Sequence, residues 1–290
     1  MVSGRGVQSV EVGGRLLEAL VRIGQPAMLR DLAQAAQLTP AQAHAYLLSF
    51  RKLRLVEQDE ASGRYSLGPF ALEVGLARMR SADPLRMASK AAAEFAAEMG
   101  LMVTLAVWGT HGPTIIQVQE ASQAIHVNLR AGSVYTITGT ATGQLFAAFL
   151  PRAQVQPLLA EELRGVGGTN RKIGRATSEA RLEHDIAAIR TLGYATTEGV
   201  PVPGINAVSA PVFDHMEQMQ LAVTAIGNAG VLDCGPDSRQ TAAVVALARR
   251  LSAELGYRSE RPAEPVSAPR RGRPRAPADA AAAPRRSRTR

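Results

Sequence analysis

Five histidines and one cysteine are the first places to look for chemistry in this 290-residue chain, and their spacing supports none. His44, His111, His126, His184 and His215 are scattered, and Cys234 has no Cys or His partner at metal-ligand spacing. No G-x-S-x-G presents a nucleophile, and "GVGGTN" does not follow a strand into a helix as a dinucleotide-binding turn must. No catalysis, metal or cofactor is expected. What remains is the chemistry of binding. Gln42 carries an amide able to pair with both polar atoms on the major-groove edge of an adenine, and His44 beside it can donate or accept. Arg30, Thr39, Arg51 and Arg64 are candidates for phosphate and backbone contacts. "GTATG", Gly139–Gly143, either offers amides to an anion at the helix it opens or is an ordinary helix start.

These residues need elements to hold them. Val12, Leu16, Leu17, Leu20 and Ile23 recur at helical spacing, so Val10–Gly24 reads as a first helix. Arg30–Ala36 reads as a second, turning at Gln37 and Leu38. Thr39 caps a third, with Pro40 at its first position and Ala43, Leu47, Phe50 and Leu53 facing inward. "LVEQDEASGRYSLG" alternates, turns at Ala61–Gly63 and alternates again, which is a hairpin. Three helices and a hairpin make a winged helix-turn-helix over residues 8–68, whose later helix enters a DNA major groove. A small helical adaptor is the competing reading of the helix pair alone.

A linker helix follows over 69–83, then a second domain over 84–256. Asp83 and Pro84 start a helix ending at Gly100. "LMVTLAVWG", "PTIIQVQE" and "AIHVNL" read as strands, and helices are expected at Thr140–Leu150, Ala153–Leu163 and Glu179–Leu192. "INAVSAPVFD" and "QLAVTAIG" form a second strand pair before a closing helix over Asp237–Leu255. The class is α+β, with a sheet covered on one side.

Charge divides the chain differently. Residues 270–290 hold eight Arg against one Asp, so the tail carries +7 of the net +8. From 259 to 290 Pro, Ala and Arg dominate and apolar periodicity disappears, which predicts a disordered tail. "PRRGRPRAP" places Arg271 and Arg273 around Gly272, resembling the core of an AT-hook, in which glycine lets the backbone sit deep in a narrow minor groove. Unspecific electrostatic attraction to DNA is the minimum expected of such a tail. No apolar run is long enough to span a membrane, and a lone cysteine fits a reducing cytoplasm.

In their order and spacing, "SVEVGGRLLEAL", "DLAQAAQLTPAQAHAYLLSFRKLRLVE", "GRYSLGPFALEVG" and "IRTLGYATTEGVPVPGINAVSAPVFD" resemble the IclR family of bacterial transcription regulators. The resemblance covers about residues 8–256. It implies a winged helix-turn-helix joined to a GAF-like domain that binds a small metabolite, working on a double-stranded DNA operator as a homodimer or homotetramer. Carried over by position, the effector pocket is Val127, Tyr135, Ala141, Thr142, Thr197, Ile205, Ala207, Thr224 and Ile226. Where relatives that bind small oxoacids show Ser, Cys or Asp, this set has Thr, Ile and Ala. That implies a carboxylated effector with an apolar body, its anionic end near the amides of Ala141 and Thr142. One departure weakens the DNA side: after His44 the chain has Ala45 where the family often has Arg. The weaker helix and the basic tail leave a second function open, a DNA-architectural protein whose second domain is a dimerisation scaffold.

Overall fold

The computed structural model describes residues 6–81, 83–121, 125, 127–165 and 172–258. α1 (Gln8–Ile23) buries Gly13, Leu16, Ala19 and Leu20 on one stripe and stops at Gly24, whose φ of 70° is the left-handed conformation that glycine adopts without strain. α2 (Leu29–Ala35) buries Leu32 and Ala33, and α3 (Pro40–Lys52) buries Ala43 and Leu47 against them. A Cβ added to Gly13 would lie 3.0 Å from the Phe50 ring, so a small residue there lets α1 and α3 approach closely. Leu53 departs from the expected inward stripe. It is 58% exposed, because the helix has ended and its periodicity no longer applies.

β1 (Val56–Gln58) and β2 (Tyr65–Leu67) form the expected hairpin, with Glu57 opposite Ser66. Asp59 closes its turn by accepting from the Ser62 N–H and hydroxyl, both at 2.6 Å, and these bonds hold its carboxyl below the usual range. Tyr65 also exchanges two backbone bonds with Ala27, which ties the hairpin to the entry of α2. α4 (Pro69–Ser81) buries none of its residues.

α5 (Pro84–Met99) starts on Asp83, whose side chain accepts from the Leu85 and Arg86 N–H groups, and ends at Gly100 in the left-handed region. Beyond it lies a five-stranded antiparallel sheet in the order β4-β3-β7-β6-β5. Its strands are β3 (Met102–Gly109), β4 (Gly112–Gln119), β5 (Ala195–Glu198), β6 (Ile205–Phe213) and β7 (Met219–Asn228). Among the described residues, those of the expected strand "AIHVNL" form no strand. Ile125 and Val127–Leu129 belong to no strand, Val127 turning back to donate to the Ile125 carbonyl; Ala124 and His126 lie outside the described residues. β5 takes the place of the missing strand at the opposite edge.

Helices cover both faces of this sheet, not one. Val103 and Leu105 on β3, Val208 and Ala210 on β6, and Val223 and Ala225 on β7 pack under α5 and α9 (Arg239–Glu254). Alternate residues, Ala106 and Ala222 among them, pack under α6 (Ala141–Phe149) and α8 (Glu179–Leu192). Strands buried on both sides lose polar alternation, and β7 is buried along nearly its whole length. α7 (Arg152–Leu163) adds Val155 and Leu159 to a smaller cluster with Ile137 and Leu182.

Candidate functional site

The outer surface of the helix-turn-helix is built by a local device. Thr39 accepts from the Gln42 N–H at 3.3 Å, while Gln42 Oε1 accepts from both the N–H and the hydroxyl of Thr39 at 3.1 Å. This reciprocal capping box satisfies two backbone donors at the start of α3. A bidentate contact with adenine requires the same oxygen that the box uses. The other candidates are also tethered or solvated. Arg51 donates to Gln58 Oε1 at 3.1 Å, joining α3 to the hairpin, and Arg64 donates to the Pro26 carbonyl at 3.1 Å. His44 and Arg30 are exposed, and neither has a hydrogen-bond or ion-pair partner among the described residues. Arg271 and Arg273 lie outside the described residues.

All nine residues carried over to the second site line one cavity, on the α6 side of the sheet. The atom-free space along it, open solvent included, is about 400 Å³. Thr197 comes from β5, Ile205 and Ala207 from β6, and Thr224 and Ile226 from β7. Register places Thr197 beside Ala207 and Ala207 beside Ile226, a row that crosses three strands on one face. Ala141 and Thr142 are the first two residues of α6, and neither N–H has an acceptor among the described residues. Such groups at a helix start carry the positive end of the helix dipole. Val127 and Tyr135 complete the set.

Sequence reasoning missed Leu129, Thr140, Ile173, Val200, Pro201 and Val202, which also line the cavity. "GVPVPG" between β5 and β6 was the available signal, a Gly/Pro-rich apolar loop at the sheet edge. No charged side chain lines the cavity among the described residues.

Beneath the cavity runs a layer of buried hydroxyls. Thr104, Thr224 and Ser209 sit side by side on β3, β7 and β6. Thr224 Oγ1 lies 2.8 Å from both Thr142 and Ser209 hydroxyls, and Tyr135 Oη lies 3.2 Å from Thr104 Oγ1. Burial pushes the Tyr135 phenol up to about 12, a rise that the Thr104 bond partly offsets. Cys234 lies behind the strands with its thiol pushed up to about 11, by burial first and then by Glu198 and Asp233, so it stays protonated and unreactive at neutral pH. The Thr197 hydroxyl is shielded from solvent and has no protein partner among the described residues.

A carboxylate places the start of α6. Glu162 on α7, 8% exposed, accepts from the Ile137 and Thr138 N–H groups at 2.8 and 3.0 Å and from the Thr138 hydroxyl at 2.8 Å. Lys172 approaches the same carboxylate at 3.5 Å. The loop it grips leads through Gly139 and the cap Thr140 into α6, while Lys172 precedes the cavity residue Ile173. Glycine is required at Gly143, where a Cβ would collide with the carbonyls of Thr136 and Ile137. Among the described residues there is no group of acidic, His or Cys side chains able to hold a metal, and no helix long and apolar enough to cross a membrane.

Comparison with known proteins matches both parts of the chain. The family model described as the IclR helix-turn-helix domain matches residues 9–60, and that of the bacterial transcriptional regulator IclR C-terminal region matches 77–253. The glycerol operon regulatory protein of Streptomyces coelicolor is 27% identical over 87% of this chain and 98% of its own. The transcriptional repressor IclR of Escherichia coli is 25% identical over 76% of this chain and 80% of its own. The crystal structure of Pseudomonas aeruginosa HmgR superposes with a TM-score of 0.77 at 33% identity, covering 87% of this chain and 99% of that one. A helix-turn-helix followed by a three-layer α/β fold, matched over residues 9–60 and 77–253, places the chain in the IclR family as a DNA-binding transcriptional regulator.

Proposed function

We propose that the chain binds a palindromic operator as a symmetric homodimer or homotetramer, and that a small carboxylated metabolite with an apolar body modulates this binding from the α6 cavity. The observation that carries the reading is the convergence of the nine residues on one cavity, with apolar walls and two unpaired amides at the start of a helix. An anion there meets oriented N–H groups, and Val127, Ile205 and Ile226 receive the apolar part. Assembly is supported by α4, which exposes Phe70, Leu72, Val74, Leu76 and Met79 and covers none of them. A regulator with this surface works as an oligomer on DNA in the cytoplasm, its domains dividing near residues 68, 84 and 256.

The test is thermal melting of the full chain with a panel of aromatic and aliphatic carboxylates, each paired with its neutral amide. Binding only to the folded state adds about 2.7 kcal/mol at a hundredfold excess over Kd. The acids should raise the melting temperature and the amides should not. Tyr135→Ala and Thr142→Val should weaken the shift, and the same acids should alter operator footprints. Silence across the panel would favour a scaffold domain with a DNA-architectural role.

A further inference from the structure

The geometry points to Gln42 as a single-donor reader: its carbonyl stays in the cap of α3, its Nε2 alone faces DNA, and it excludes cytosine instead of selecting adenine. The inference rests on α3 being the helix that enters the major groove. A backbone N–H only donates, so the end of the Gln42 amide that faces the Thr39 N–H must be the oxygen. The Thr39 hydroxyl holds the same oxygen at 3.1 Å, which leaves the exposed Nε2 with two hydrogens and no acceptor role. Adenine recognition through two bonds needs the oxygen on the adenine amino group and the nitrogen on N7. Freeing that oxygen opens the box and strands the Thr39 N–H, a loss of roughly fivefold in binding.

A lone donor has acceptors on three bases. Guanine offers N7 and O6, adenine N7 and thymine O4, whereas cytosine presents only its N4 amino group. Donor then faces donor, and each is left unpaired on burial, a penalty of about tenfold. Ala41 and Ala45 flank this position and add no polar atom that would narrow the choice. Gln42 thus joins two tasks in one side chain, and the cap dictates how the base is read.

The full chain, Gln42→Glu and Gln42→Ala should each be used to select from a library of random-sequence duplexes, with melting measured on all three. Glutamate keeps the box, because its carboxylate accepts the same N–H, but it turns the outward atom into an acceptor. The parent library should be depleted of cytosine about tenfold at one position per half-site, with the other three bases admitted. The glutamate library should move to cytosine there. The alanine library should be unconstrained, from a protein that melts below the glutamate variant. Adenine enriched over both guanine and thymine by the parent would overturn the proposal, because the amide would have left the cap. Three identical libraries, or a glutamate variant that melts below the alanine one, would overturn it equally.

Discussion

On the outer face of α3 and the hairpin, Thr39, Gln42, Arg51 and Arg64 are exposed, and each already holds a neighbour through one or two solvent-facing bonds. Around the α6 cavity the polar groups are buried: Thr142 bonds Thr224 and Tyr135 bonds Thr104, and, outside the lining, Glu162 holds Ile137 and Thr138. The difference is energetic. An exposed bond trades against water and contributes little net stability, so Arg51 and Arg64 can exchange partners when DNA arrives, whereas Gln42 also satisfies a helix-start N–H and stays in its cap. A buried one cannot be given up without leaving a desolvated group. The first region is therefore adaptable at the level of side chains, and the second is a preformed container.

Glu162 should show this contrast at its largest. Glu162→Ala strands two backbone N–H groups, the Thr138 hydroxyl and Lys172 around the loop that sets the start of α6. Removing one partner of a buried, paired charge costs about 3–5 kcal/mol. Chemical denaturation of the full chain should register a loss of that size, and Glu162→Gln, which keeps one acceptor oxygen, should lose less. A Glu162→Ala protein as stable as its parent would mean that the cavity is not held by its buried polar groups.

Tyr135 sharpens the same point through pH. Its phenol ionises near 10 when unfolded and at about 12 when folded, so the folded state keeps its proton longer. The stabilisation associated with this shift is fully present below pH 10 and is lost as pH rises from about 10 towards about 12. The loss amounts to about 2–3 kcal/mol for a group so fully buried. Tyr135→Phe should therefore be less stable than the parent at neutral pH by only its missing bond to Thr104, yet flatter in its decline above pH 10. Parallel decline of the two proteins would place the phenol in contact with water.

What was legible in the sequence follows the same division. Caps and turns are local, so Thr39, Pro40, Asp83, Gly100 and Gly193 could be read directly, and the hairpin turn at Ala61–Gly63 with them. The capping box was legible too, as Thr followed three residues later by Gln, but the outward-facing amide drew attention first. Sheet order was not. β5 is a four-residue edge strand, and its "ATTE" gains meaning only from pairing with β6. The apolar alternation of "AIHVNL" looked like a strand because Val127 and Leu129 do face one side, but that side is the cavity wall. The nine cavity residues came from resemblance to relatives, since no spacing rule brings Val127 next to Ile226.

Arg64 carries the smallest effect and the cleanest separation of roles. Its bond to the Pro26 carbonyl joins the hairpin to the loop before α2, but both ends are exposed. Losing a bond of that kind costs well under about 1 kcal/mol, so Arg64→Gln should melt close to the parent. On DNA the side chain has a second acceptor available in a phosphate. If it takes that contact, one fewer counterion is released by the variant, and the slope of log K against log salt should become shallower by about one. The affinity loss should be the same for every operator sequence, because a phosphate contact carries no base information. A salt series of the two proteins on one duplex and on a mutated duplex separates the outcomes. An unchanged slope would assign Arg64 to holding the hairpin alone, and a loss confined to one sequence would make it a reader of the groove.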